Sequence, residues 1–132
     1  KTQGHQVDGG WISKHFGTRT APVTGKKSRH KGVDIAARAG ADIVSVASGI
    51  VTYSGNRYGY GMMVEIDHGN GYVTRYAHNA EHTVQVGDEV RKGQLIGYMG
   101  ATGRATGPNL HFEVLKDGKV QDPIKFIRAK SN

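Results

Sequence analysis

Short alternating runs of apolar and polar residues, each closed by glycine, constrain this chain more than any other feature. MMVEID (62–67) and YVTRYAH (72–78) flank HGNG (68–71). Gly-Asn-Gly between two alternating runs supplies the positive φ angles that a tight hairpin turn needs. HFEVLKDGKVQDP (111–123) repeats the arrangement around Lys116-Asp117-Gly118. VDIAA (33–37) opens an earlier strand, and ADIVSVASGIVTYSG (41–55) holds two extended runs broken near Ser48-Gly49. VQVGDEVRKGQLIGYMG (84–100) shares with 41–55 a loose pattern of paired short strands, a candidate internal duplication. With 20 glycines against three prolines, the pattern predicts a mainly β chain with one short helical turn near Pro123–Ala129. The expected fold is an antiparallel β-sheet or sandwich. Residues 1–132 are read as a single domain, the size at which one core buries about two-thirds of the unfolded surface.

Charge narrows the partners. The formal net charge is +7, from 18 basic and 11 acidic residues, which favours polyanionic partners such as nucleic acid, an anionic membrane surface or a carboxylate-rich wall polymer. No aromatic-basic RNA motif or helix-turn-helix pattern supports nucleic acid. No apolar stretch approaches the roughly 20 residues of a membrane helix. The absence of cysteine excludes disulfides and thiolate metal sites. The chain lacks an initiator Met and a visible leader, so it reads as a mature or trimmed product, with any signal sequence or accessory domain outside view.

GPNLHFEV (107–114) raises the first chemical question. On a strand, Leu110, Phe112 and Val114 bury one face while Asn109, His111 and Glu113 line the other. His30 and Asp34 stand four apart in HKGVD, where strand spacing would place them on one face with Gly32 leaving room above it. Two imidazoles and a carboxylate make three zinc ligands with an open fourth position, the arrangement of catalytic zinc. An isolated H-x-x-x-D is more often a structural salt bridge, and a lone strand histidine more often a satisfied polar residue than a ligand. Residue chemistry alone leaves that choice open.

Order and context weigh on it. F-G-x-R (16–19), R-H-K-G-V-D-I-A (29–36), I-D-H-G-N-G-Y-x-T-x-Y-A-H (66–78), V-x-x-G-x-x-V-x-x-G-x-x-I (84–96) and G-x-T-G-R-A-T-G-P-N-L-H-F-E-V (100–114) occur in sequence. Together they resemble the LytM/lysostaphin-type zinc endopeptidases, which cut peptide cross-links in bacterial peptidoglycan. The resemblance runs from about Phe16 to Phe126 and implies a barrel-sandwich-hybrid-like domain with a groove. It implies that His30, Asp34 and His111 bind Zn2+, and that His78 flanks the metal and stabilises the transition state. Alternation along 72–78 places His78 on one face with Tyr72, Thr74 and Tyr76.

One family position departs. The first histidine of H-x-H, the general base, is Asn109 here. An amide hydrogen-bonds water but accepts no proton near neutral pH, so the resemblance implies an impaired or inactive zinc endopeptidase. The alternative is a non-catalytic peptidoglycan-binding or hydrolase-activating module. The substitution is either deliberate silencing or natural drift, and retention of all three ligands favours silencing. Tyr58, Tyr60, Arg104 and Thr106 are candidate substrate contacts, with groove walls at 17–27, 56–61 and 80–82. His5, His15, His68 and His82 read as solvated surface residues, although the segment at His15 leads into the site. The implied setting is a monomer in the bacterial periplasm or envelope, acting on D-alanyl–diaminopimelate links more than on glycine bridges.

Overall fold

The structure is a computed structural model that describes residues 10–20, 25, 27–102 and 107–127. It contains β1 (Trp11–Lys14), β2 (Gly17–Thr20), β3 (Lys27–His30), β4 (Val33–Ala36), β5 (Asp42–Val44) and β6 (Gly49–Arg57). These are followed by β7 (Gly61–Gly69), β8 (Tyr72–His82), β9 (Glu89–Val90), β10 (Leu95–Met99), β11 (Asn109–Lys116), β12 (Lys119–Gln121) and α1 (Ile124–Ile127). Ten strands form one antiparallel sheet with the path β1-β4-β11-β8-β7-β6-β9, and β2 and β3 form a separate hairpin. The mainly β expectation holds, and the helical turn near 123–129 is α1.

Both predicted turns form with the backbone their residues favour. Asn70 and Gly71 have φ of 54° and 85°, and Asp117 and Gly118 have 50° and 80°, the two consecutive positive angles of a type I′ hairpin. The segments 41–55 and 84–100 turn out to be partners: β5 pairs β10 through Leu95↔Val44, and β6 pairs β9 through Gly49↔Val90. Apolar alternation does not mark the three early strands, β1 to β3. Their sequences WISK, GTRT and KSRH carry no apolar alternation, and pairing with β4 or with each other defines them.

The core collects on one side of β4, β8 and β11. Val33, Ile35, Tyr76, Leu110 and Phe112 are fully buried, and the Tyr76 and Phe112 rings lie 5.3 Å apart. Burying a side chain of this class stabilises a fold by about 1.5–3 kcal/mol. The opposite side of the same strands carries Arg75, His111 and Glu113, so the buried face fixes the register in which polar groups meet.

Candidate metal centre

β11 and β4 are antiparallel neighbours with His111 directly opposite Asp34. His111 Nδ1 lies 2.8 Å from Asp34 Oδ1, and His30 Nε2 lies 3.2 Å from the same oxygen. Ligand-capable atoms of His30, Asp34 and His111 all fall within 4.8 Å of one another. The structure brings together the three residues that the resemblance groups, but by a route other than strand spacing. Four residues along a strand span about 13 Å, too far for one metal. The strand instead breaks at Lys31-Gly32, so His30 ends β3 and the chain folds back to bring Asp34 on β4 beside it. Nor does Gly32 leave open room: a Cβ there would collide with the Phe112 carbonyl.

Proton bookkeeping shows what the cluster needs. His30 Nδ1 donates to the His15 carbonyl at 3.0 Å, which leaves Nε2 without a proton against the Asp34 carboxylate unless a cation joins them. His111 faces Asp34 through Nδ1 and Glu113 through Nε2, both at 2.8 Å. A neutral imidazole has one N–H, so one of those contacts requires a second proton or a metal ion. Burial lowers the His111 pKa, but hydrogen bonds and charge from Asp34 and Glu113 outweigh it and raise the value to about 9. Burial likewise works against the Asp34 carboxylate, yet His111 and then His30 and Lys14 hold it below the usual range. Two imidazoles and a carboxylate, each imidazole anchored at its other nitrogen, fit a zinc ion in donor type and in surrounding hydrogen bonds.

His78 reaches this cluster by a route that alternation misses. Counting along β8 puts it on the core side with Tyr76, but its φ is +68°, an uncommon value outside glycine. There β8 stops pairing with β11 and starts pairing with β10, and the register against β7 shifts between Met62 and Val64. That bulge turns the ring toward His111, with centroids 6.0 Å apart. His78 Nδ1 donates to the Thr102 carbonyl at 2.6 Å. Burial is the main cause of a lowered pKa, so the ring is neutral at pH 7, with its lone pair on Nε2.

Asn109 sits two residues before His111 on the same face. Its Nδ2 donates to the Gly107 carbonyl at 2.9 Å, and its buried Oδ1 has no partner among the described residues. Tyr60 lies beneath the cluster, its hydroxyl 3.2 Å from Glu113 Oε1, whereas Tyr58 stands 88% exposed on the β6–β7 turn. Arg104 and Thr106 lie outside the described residues, as do His5 and part of the 17–27 segment. Residues 80–82 belong to β8, so no loop exists there. His68 and His82 are not solvated surface residues: both are half-buried with both ring nitrogens hydrogen-bonded. The sequence reading also missed the partners that orient the ligands: the His15 and Thr102 carbonyls and the Glu113 carboxylate. Only Glu113 left a signal, being on the polar face of HFEV.

An antiparallel β scaffold presenting a His/Asp/His centre is the framework of a metallohydrolase. The sequence profile of peptidase family M23 matches residues 28–123. A DD-carboxypeptidase/endopeptidase, Mpg, of Neisseria meningitidis is 41% identical over 113 residues, 86% of this chain and 26% of the relative. The murein hydrolase activator NlpD of Salmonella dublin is 41% identical over 99 residues, 74% of this chain and 26% of the relative. A zinc-containing peptidase from Vibrio cholerae of known structure superposes with a TM-score of 0.85 at 38% identity, over 94% of this chain and 39% of that one. The chain belongs to peptidase family M23, the LytM type that the motifs resemble. It spans about a quarter of the length of the curated relatives named here.

Proposed function

We propose that this chain is a zinc-dependent endopeptidase domain directed at peptide cross-links of peptidoglycan, with catalysis impaired at Asn109. The observation that carries the reading is the convergence of His30, Asp34 and His111 beside an amide that cannot take a proton. His30 Nε2, an Asp34 oxygen and His111 Nδ1 would hold the ion. Zinc, when bound, supplies a Lewis acid that acidifies water and polarises a scissile carbonyl. Asp34 offsets part of its charge, and the His15 carbonyl and Glu113 fix the two imidazoles. Asn109 Oδ1 can accept a hydrogen bond from water but not its proton. His78 stabilises developing negative charge once its Nε2 carries a proton. The net charge of +7 favours retention on an acidic wall polymer. Placement in the bacterial envelope, a monomeric state and a single domain over 1–132 belong to the same proposal. Among the described residues, no helix is long and apolar enough to cross a membrane.

A second reading is a non-catalytic module that activates other wall hydrolases, favoured by the likeness to an NlpD activator and by Asn109 itself. Asn109→His separates the two. Restoring an imidazole should raise cleavage of cross-linked muropeptides by about 10²-fold or more, the range of a positioned general base, while zinc content stays unchanged. Mass spectrometry of the digest reads the outcome and identifies the bond cut. A variant that binds zinc and wall fragments but cuts nothing defeats the endopeptidase reading.

A further inference from the structure

Beneath the candidate metal centre, three charged residues are stacked across three neighbouring strands. Glu113 on β11 is directly opposite Arg75 on β8, and Arg75 is directly opposite Glu65 on β7. Arg75 Nε donates to Glu65 Oε2 at 2.8 Å, and its Nη1 approaches Glu113 Oε1 at 3.3 Å. Thr52 and Arg57 close the far end, with Thr52 Oγ1 2.9 Å and Arg57 Nη1 3.5 Å from Glu65. At the near end, the other Glu113 oxygen meets His111 Nε2 at 2.8 Å.

Glu113 is 1% exposed, and a buried carboxylate costs several kcal/mol unless it is paired and hydrogen-bonded. Here every donor around it has a fixed direction: Arg75, the Tyr60 hydroxyl and His111. The turn that carries His30 toward Asp34 rests on the same group. A Cβ at Gly32 would lie 2.9 Å from Glu113 Cγ as well as striking the Phe112 carbonyl. One side chain therefore meets a candidate ligand on β11 through its carboxylate and leaves, at its Cγ, no room for a side chain on the turn between the other two.

We propose that Glu113 is a positioning residue for His111, clamped by Arg75, which holds the imidazole with Nε2–H toward itself and Nδ1 toward Asp34 and His30. The inference rests on the metal reading above. Without the carboxylate, the ring can rotate or present the wrong nitrogen, and the three ligand atoms no longer converge. Glu65 and Arg57 act one step further out, since Arg75 would otherwise be free to swing away.

The test is zinc affinity, measured by competition with a chromophoric chelator at neutral pH, in the parent chain and in Glu113→Gln. Glutamine keeps the volume, but its amide cannot accept from both His111 and Arg75. The expected result is a 10–100-fold weaker zinc affinity, the usual effect of losing such a partner. It is measured at a temperature where circular dichroism shows the metal-free variant still folded, because loss of the buried ion pair with Arg75 also lowers its melting temperature. Equal affinity in the variant overturns the inference while leaving the metal reading intact. Absence of zinc from the parent chain defeats the metal reading itself. A measurement on the unmodified protein covers the case in which Glu113→Gln does not fold. In the zinc-loaded chain, 1H–15N correlation spectra should show His111 protonated and exchange-protected at Nε2. A proton on Nδ1 instead overturns the inference.

Discussion

His111 and His68 are each held through both ring nitrogens, yet they belong to different kinds of place. His68 Nδ1 donates to the Ser48 carbonyl, and Nε2 meets the Thr74 hydroxyl, both at 2.7 Å. Thr74 bonds in turn to Tyr76, whose hydroxyl accepts from the Val46 amide. Those partners are neutral and match one N–H and one lone pair, so a neutral imidazole satisfies them. Burial accordingly pushes the His68 pKa down. His111 stands between two carboxylates, which ask for more positive charge than a neutral ring can give. Counting histidines does not separate a ligand from a structural pin. The charge of the partners does.

The largest effect that can break this contrast is loss of metal. Asp34→Ala and His111→Ala should reduce bound zinc from one equivalent per chain to background, measured by elemental analysis after metal-supplemented purification. His68→Gln and His82→Gln should leave the equivalent in place. Zinc loss from either glutamine variant would show that the second region is not independent of the first.

A smaller effect runs the other way. Thr74→Val removes the hydroxyl between His68 and Tyr76 and leaves buried partners unsatisfied, which costs roughly 1–3 kcal/mol. Denaturant unfolding should show that loss while zinc affinity stays at the parent value. An unchanged midpoint would mean that the His68 chain contributes little.

The same contrast explains what was legible in the sequence. Glycine-bearing turns and the alternating face of β11 follow from local pattern, because turn angles and side-chain alternation are local, whereas the grouping of His30, Asp34 and His111 comes from the resemblance and not from their spacing. Resemblance puts His78 beside the candidate ligands, where its ring lies 6.0 Å from that of His111, but alternation puts it on the opposite face, since a single positive φ reverses the count. The Glu113–Arg75–Glu65 stack spans residues 65 to 113, and nothing local announces which charges will face each other across three strands. His68 and His82 looked like turn and connection residues because the partners that bury them lie up to 28 positions away.

The smallest effect is a slope in pH. His82 Nδ1 lies 3.0 Å from Ser54 Oγ, which donates onward to the Val84 carbonyl, and its Nε2 accepts from the Asn79 amide at 3.1 Å. Adding a proton to Nε2 would set two donors against each other, and burial already lowers the pKa of both His82 and His68 from 6.5. Because the folded pKa lies below the unfolded one, the unfolded chain takes up protons first on acidification. Stability from these residues is complete above pH 6.5 and declines as pH falls through the lowered folded values. His82→Gln, compared with the parent chain in the same chelator-treated state, should flatten that decline by at most about 1.4 kcal/mol per pH unit, one proton's worth. Carboxylates with lowered pKa values, such as Glu65, add the same sign only at more acidic pH, so the window just below 6.5 isolates the histidines. Unfolding free energies with identical pH slopes in parent and variant would remove His82 from the account and leave His68 alone to carry the neutral side of the comparison.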